Sequence, residues 1–515
     1  MTEVELKFLL RPDDGEGTAT LRRRLGALAD GGARSAKLRT IYLDTPGGAL
    51  AAAGIALRLR SARGRWTQTV KAGRAMQGGL SRAEEYDAPA PGGRLDLDAF
   101  ANGLGERVRR VANGDALAPV FETAITRSTW AVPFGAARIE VAHDRGEVIA
   151  GERAEAIEEL ELELIDGPPE ALYGLARKLF AHGPVRFSET NKAERGRRLA
   201  AGHPAVRAVA PRKAEAPALD PDGTAEAAAG AILTECWHQI AANAVAVAAT
   251  EDIEGAHQLR VGLRRLRSAM KLLRPVMDGP AHRALAEEAK WLGREVGRLR
   301  DLEVAIAEMV VPAAGAAPQE PGFAPLAEAL AARAAAERER LRATLAGERA
   351  TGFLFDLAAY VSLRGWLDPA DHAQTGRLAT PFARLAADAC AEADRRAAKR
   401  GRRIEVLDAE ARHDLRKRLK ELRYVVEYAE PALPAKKTAK LAGRLKKLQK
   451  VFGEMNDAAA AEALFLASDA PAADDPVAMR AAGRLIGTRL TAAERAWEEA
   501  VARWHAFAKT PRPWG

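Results

Sequence analysis

Carboxylates and cations at alternate positions are the first residues here able to do chemistry. In Glu3-Val4-Glu5-Leu6-Lys7-Phe8, an extended chain sets Glu3, Glu5 and Lys7 on one face and Val4, Leu6 and Phe8 on the other. Glu159, Glu161 and Glu163 repeat the acidic pattern with leucines between them. Other segments supply positive charge: Arg58 with Arg60, then Lys71, Arg82 followed by Glu84, and Arg127. Any one such strand reads as the wet face of an antiparallel sheet. Two carboxylate strands with several cationic ones change that reading: in a closed barrel with a polar interior, such faces would converge. Charges gathered there need partners, and a metal ion bound to a polyanion supplies them. Oxygen ligands from two glutamate pairs suit Mg²⁺ or Mn²⁺, with phosphate oxygens and water completing the octahedron. Arginine suits bidentate contact with phosphate.

A second constellation lies further on. His257, Arg260, Arg264, Arg267 and Lys271 are spaced by 3, 4, 3 and 4 residues, which keeps them on one helix face. His413, Arg416, Lys420 and Arg423 follow the same spacing, and Glu427 then breaks the stripe. On later helices Lys290 matches Lys446 and Arg294 matches Lys450. A charge run is usually a solvated face. The first stripe, however, has no carboxylates, and like charges one turn apart cost a helix a few tenths of a kcal/mol per pair, roughly. Carrying that cost twice predicts an anionic partner. Neither histidine has a close His or Cys companion, so they are not a metal pair.

The elements that must hold these residues change midway along the chain. Strand patterns occupy 2–10, 37–44, 55–61, 65–72, 81–88, 120–130, 136–143 and 157–165, with helices near 18–29 and 169–182. This gives one domain over 1–202. An Ala/Pro-rich linker follows at 203–224, then a helical domain at 225–510 with a break from Pro312 to Pro325. The helical part is duplicated: His257 to Arg267 resembles His413 to Arg423, and Gly293 to Asp301 resembles Gln449 to Asp457, both at an offset of 156.

Composition sets the outer limits. A chain of 515 residues is too long for one ordinary core. With a net charge of +8 it suits polyanions: nucleic acid, phosphate polymers or anionic lipid. Cys236 and Cys390 lie far apart in helical sequence and predict a reducing compartment. The start MTEVELKFLL lacks a basic leader, and the apolar run near Ile240–Ala249 is too short to span a bilayer. The expectation is a cytoplasmic protein.

The Glu3–Lys7 segment resembles the ExExK motif of the CYTH family, the triphosphate tunnel metalloenzymes. The likeness continues through Tyr42-Leu43-Asp44-Thr45-Pro46, Leu57 to Arg60, Trp66 to Lys71, Arg82-Ala83-Glu84, Glu159 to Leu164 and Asn191 to Gly196. It implies an eight-stranded antiparallel tunnel that cleaves a linear triphosphate with a divalent metal. Glu3, Glu5, Glu161 and Glu163 would be the metal-side carboxylates, with Glu159 on the same face. Lys7, Arg58, Arg60, Lys71, Arg127 and Lys192 would cradle phosphate oxygens. Water would attack a terminal phosphorus, and Glu5 and Asp144 are candidates for its base.

The helical half resembles the CHAD family of conserved-histidine helical domains. The likeness rests on both His-x-Leu-Arg leads and on Leu299 to Leu302 and Gly453 to Asp457. It implies duplicated four-helix bundles whose basic surface binds inorganic polyphosphate through His257, Arg260, Arg264, Arg267, His413, Arg416, Lys420 and Arg423. Their matched companions Lys290, Arg294, Lys446 and Lys450 join that surface. The whole then reads as a two-domain α+β inorganic triphosphatase acting on tripolyphosphate. The alternatives are a non-catalytic protein that binds polyphosphate and associates with polyphosphate granules, and a nucleoside or thiamine triphosphatase or cyclase. Nucleic acid ranks lower, because the basic stripes lack interleaved aromatics.

Overall fold

The computed structural model describes residues 2–10, 15–101, 103–181 and 185–514. The chain divides into two compact units, Met1–Ala210 with Ala346–Gly365, and Pro211–Leu345 with Trp366–Gly515.

The first unit is built on β1 (Thr2–Leu9), β2 (Arg34–Asp44), β3 (Ala56–Ala62), β4 (Arg65–Gln77), β5 (Leu80–Pro89), β6 (Ala118–Phe134), β7 (Ala137–Ala150) and β8 (Arg153–Asp166). They close into an antiparallel barrel in the order β1-β5-β4-β3-β2-β6-β7-β8. Helices α1 (Gly15–Leu28), α2 (Ala49–Ala52), α3 (Leu104–Ala112), α4 (Glu170–Leu179) and α5 (Lys192–Ala200) accompany it. Alternation sends charged residues inward and apolar ones outward on β3 and β4. Leu57, Leu59 and Val70 pack outside with Leu50 of α2 and Leu104 and Val108 of α3. The interior is not polar throughout. Leu38, Tyr42, Phe121, Ile125, Val148 and Ile157 form an apolar layer against Ala193 and Leu199 of α5. Gly196 lies on the Phe121 ring, where any side chain would clash.

In the second unit, α6 (Ala225–Ala249), α7 (Ile253–Met277) and α8 (Pro280–Val304) are followed by a π-helical stretch, Ala305–Val310, and by α9 (Val311–Ala316) and α10 (Phe323–Ala346). After α11 (Glu348–Ser362) and α12 (Gln374–Leu378) come α13 (Phe382–Gly401), α14 (Ala409–Ala429), α15 (Ala435–Phe465) and α16 (Pro476–Ala508). The duplication is visible in the helices themselves. Ile253 opens α7 and Ala409 opens α14, a separation of 156. The pairs α6/α13, α8/α15 and α10/α16 follow the same pattern, while α11 goes with the first unit. Among the described residues, no helix is long and apolar enough to cross a membrane.

Candidate active site and basic groove

Register decides which charges meet inside the barrel. On β1, Glu5 lies opposite Glu163 of β8 and Lys7 opposite Glu161. Glu3 and Glu5 lie opposite Ala83 and Ser81 of β5, and Lys71 of β4 opposite Glu85. The inner faces enclose a cavity of about 480 Å³ lined by Glu3, Glu5, Lys7, Arg58, Arg60, Lys71, Arg127, Glu161, Glu163 and Lys192. Of the residues expected in the tunnel, Glu159, Asp144, Arg82 and Glu84 are not among those lining the cavity, and the others reach it.

The charges sort into two populations. Asp144, Glu159 and Glu161 are buried and already neutralised. Arg127 grips Asp144 with Nε and Nη2 at 2.7 and 2.6 Å and also reaches Glu161 at 2.6 Å. Lys192 contacts Asp144 at 2.6 Å, Glu161 at 3.0 Å and Glu159. Lys7 adds 2.7 Å to Glu161, and the fully buried Arg195 holds Glu159 at 2.6 Å. Burial alone would raise the Glu161 pKa, but Lys192, Lys7 and Arg127 outweigh it and hold the carboxyl well below its usual range. The same balance, with Lys192 and Arg127, lowers Asp144. Ligand atoms of Asp144, Glu159 and Glu161 lie within 4.8 Å of one another, as metal ligands would. Four cations, Lys7, Arg127, Lys192 and Arg195, already neutralise them, so this cluster is a charge-balanced wall, of which Glu161 is the carboxylate that lines the cavity. Asp144, so held, is a poor proton acceptor.

Glu3, Glu5 and Glu163 are short of positive charge. Glu3 has Lys71 at 2.6 Å and Glu5 has Lys7 at 3.1 Å, but among the described residues no ion pair reaches Glu163. Burial, then Glu3 and Glu5, push the Glu163 carboxyl up to about 7. Burial and the neighbouring Glu5 likewise raise Glu3. A divalent cation beside these oxygens would remove that penalty, and an all-carboxylate donor set suits a hard ion. In charge and donor type Glu3, Glu5 and Glu163 suit such an ion, although the carboxylates whose ligand atoms lie within 4.8 Å of one another among the described residues are Asp144, Glu159 and Glu161.

The opposite wall has surplus positive charge. Arg58 shares Glu85 with Lys71, both at 2.6 Å, and among the described residues its buried Nε has no hydrogen-bond partner. Arg60 is hydrogen-bonded to Thr40 at 3.2 Å and, among the described residues, has no ion-paired carboxylate; burial, with Arg58 and Arg127 nearby, pushes its pKa down to about 10.

Arg82 and Glu84 correct the sequence expectation. They lie on the outward positions of β5, and Ser81, Ala83, Glu85 and Asp87 line the cavity instead. The sequence also passed over Arg195, Arg74, Arg197 and the role of Tyr42. The Tyr42 ring stacks on Phe121 with centroids 4.4 Å apart. Against its burial, Arg58 and Arg60 draw the hydroxyl pKa down.

In the helical unit, α7 packs against α14 and the two histidine-led stripes meet. Arg260 and Arg264 act on Lys420 together with Arg416 and Arg423, and burial plus these charges push Lys420 down to about 7. Arg264 lies over the Tyr424 ring at 5.0 Å and Arg423 at 5.5 Å. Nε of Arg264 and of Arg416 are buried without a hydrogen-bond partner among the described residues. Arg260 bonds Asp301 at 2.9 Å, and Asp457 acts on Arg416 at the repeat-related position. His257 is half-buried and His413 exposed; burial lowers both, helped by Arg300 at His257 and by Lys417 and Arg416 at His413. Arg267, Arg294, Lys446 and Lys450 are exposed. Lys290 is paired with Glu287 at 2.9 Å, and Glu427 neutralises Arg423 at 2.6 Å.

Residues 1–196 match the family model of the CYTH domain and residues 231–466 that of the CHAD domain. An inorganic triphosphatase of Haemophilus influenzae is 30% identical over 196 residues, 38% of this chain. The match spans 54% of that protein, about half its length. The crystal structure of a CHAD domain from Ricinus communis is 30% identical with a TM-score of 0.50, covering 59% of this chain and 98% of that one. A Hippeastrum protein described by a dominant triphosphatase activity is 20% identical with a TM-score of 0.29, covering 39% of this chain and 96% of its own.

Proposed function

We propose that this chain, which carries a CYTH domain followed by a CHAD domain, hydrolyses inorganic tripolyphosphate in its barrel and binds inorganic polyphosphate on its helical unit. One observation carries the first part. A single cavity sets under-neutralised carboxylates, Glu3 and Glu163, across from under-neutralised cations, Arg60 and the free Nε of Arg58. A polyanion with its metal completes both walls at once. The name of the Haemophilus influenzae relative supports the same substrate.

Glu3, Glu5 and Glu163, with Glu161 at their edge, would hold Mg²⁺ or Mn²⁺. Bound there, such an ion supplies Lewis-acid polarisation of a phosphoryl oxygen. Arg58, Arg60 and Lys71 bind phosphoryl oxygens and stabilise charge on the leaving phosphate. Lys7, Arg127 and Lys192 fix Glu161 and Asp144 and keep the wall rigid. Among the described lining residues Tyr42 is the aromatic one, and its ring is stacked on Phe121, which favours an inorganic chain over a base-bearing nucleotide. For the helical unit, the unpartnered Nε atoms of Arg264 and Arg416 beside Lys420 support a phosphate polymer.

Phosphate release from tripolyphosphate, with and without Mg²⁺ or Mn²⁺, tests the reading. Release should require the metal, ATP and thiamine triphosphate should be slow, and Glu5→Gln should lower kcat/KM by at least about 100-fold. Folded protein that releases no phosphate from tripolyphosphate would overturn it.

A further inference from the structure

Strand β4 carries a cation that plain alternation hides. Lys71 faces the lumen, so in an unbroken strand Gly73 would face it next and Arg74 would point outward. The β4–β5 register shifts between Ala72 and Ala75, and Gly73 takes a φ of +63°, which glycine adopts without strain. A bulge of this kind re-aims the residue beside it. Arg74 accordingly lines the same cavity as Lys71 and Glu5.

Arg74 is loosely held there. Its Nε reaches Ser81 Oγ at 3.3 Å and its Nη2 the Glu189 carbonyl at 3.3 Å. Its ion-pair partner among the described residues, Glu194, is at 4.0 Å and 38% exposed, and the charge of Glu5 also acts on it, whereas Lys71 has two carboxylates at 2.6 Å. Arg197 of α5, one turn past Ala193, lines the same cavity. Burial, with the charges of Arg195 and Arg197, pushes the Arg74 pKa below its ordinary value.

The register places these cations in a row. The β3–β4 ladder runs from Ala62 opposite Arg65 to Ala56 opposite Lys71, with Arg60 opposite Thr67 and Arg58 opposite Thr69. Along this wall stand Arg60, Arg58, Lys71 and then Arg74, beyond the end of the ladder. From Thr67 to Arg74 the strand covers roughly 20 Å. A row that long has cations left over once a triphosphate is bound.

We infer that Arg74 and Arg197 form an outer subsite for a fourth phosphoryl unit, so that the barrel takes linear polyphosphate chains longer than the triphosphate. The inference rests on the reading of the cavity as a triphosphate site. Its chemistry is guanidinium contact with non-bridging phosphate oxygens, a charge-assisted bond that needs no base or sugar.

Steady-state hydrolysis of tripolyphosphate and tetrapolyphosphate by the full-length chain tests it. The wild type should show a KM about tenfold lower for tetrapolyphosphate, the size of one charge-assisted contact. Arg74→Ala and Arg197→Ala should each bring the ratio of the two KM values to about one, and Arg74→Lys should restore part of it. Should Arg74→Ala fold poorly by its melting temperature, Arg197→Ala reads the same subsite from another element. Equal KM changes on both substrates, or none, would refute the subsite while leaving the triphosphatase intact. A wild type inert toward tripolyphosphate would remove the underlying reading and the subsite with it.

Discussion

Glu159 and Glu163 stand four residues apart on one strand face and do opposite things to stability. Glu159 is fully buried between Lys192 and Arg195, so Glu159→Gln leaves Arg195 in the interior without a counter-charge. Breaking a buried pair from one side costs about 3–5 kcal/mol. Glu163 has no ion-pair partner among the described residues and sits beside Glu3 and Glu5. Glu163→Gln removes a like-charge repulsion. Calorimetric melting without divalent metal should therefore show Glu159→Gln well below the wild type and Glu163→Gln at or above it. Hydrolysis should then show Glu163→Gln needing more metal for half-maximal rate. If Glu159→Gln melts with the wild type, the neutralised wall described above is misassigned.

At the scale of elements, α11 is the helix whose place is least expected. It lies in sequence between the two repeats of the helical half, yet it belongs to the barrel unit. Phe355 packs on Phe8 at 6.0 Å and on Phe187 at 5.4 Å, and Arg177 reaches Asp356 at 3.0 Å. Ser362 meets Tyr173. Phe8 is the outward neighbour of Lys7, so this helix covers the back of the strand that carries Glu3 and Glu5. Phe355→Ala should cost the barrel unit about 3–5 kcal/mol. The check is the guanidinium concentration at which tripolyphosphate hydrolysis is lost, which should fall; an unchanged midpoint would mean that α11 merely rests on the surface. Nothing in the local sequence announces this, because helical periodicity fixes an apolar face and not the element that covers it. The strand faces of β1, β3 and β8 were legible because an apolar residue separates each charge from the next. On β5 both faces carry charge, Arg82 and Glu84 on one and Glu85 and Asp87 on the other, so alternation could not choose between them. On β4 the bulge at Gly73 breaks the parity that the reading assumes. The nine residues of α5 are too few and too charged to show a period, which hid Arg197.

For the molecule as a whole, a net charge of +8 says only that polyanions are attracted; the duplication says where the charge is concentrated. Each repeat alone presents one basic stripe, and its helix tolerates that. Packing α7 against α14 puts Arg260 and Arg264 of one repeat around Lys420 of the other, beside Arg416 and Arg423. Burial and these four guanidinium groups bring Lys420 down to about 7. In the unfolded chain its pKa returns to the ordinary lysine value, so between about 7 and 10.4 the folded form binds fewer protons. Stability without ligand therefore gains from this group as pH rises through that window. On the proposed reading, polyphosphate should act in the opposite sense: its negative charge favours the protonated amine, so above pH 7 binding would take up a proton and affinity should fall as pH rises. The decline approaches about tenfold per pH unit for one proton. Long chains are the ligand to use, since their internal phosphates stay ionised across this range and only the chain ends titrate. Calorimetric titration with long-chain polyphosphate at pH 6, 7, 8 and 9 should show affinity nearly level below 7 and falling above it. Lys420→Arg keeps the charge at every one of these pH values and should flatten the profile. A decline that persists in Lys420→Arg would place the titrating group elsewhere, and a flat wild-type profile would mean that the two stripes do not act on one ligand.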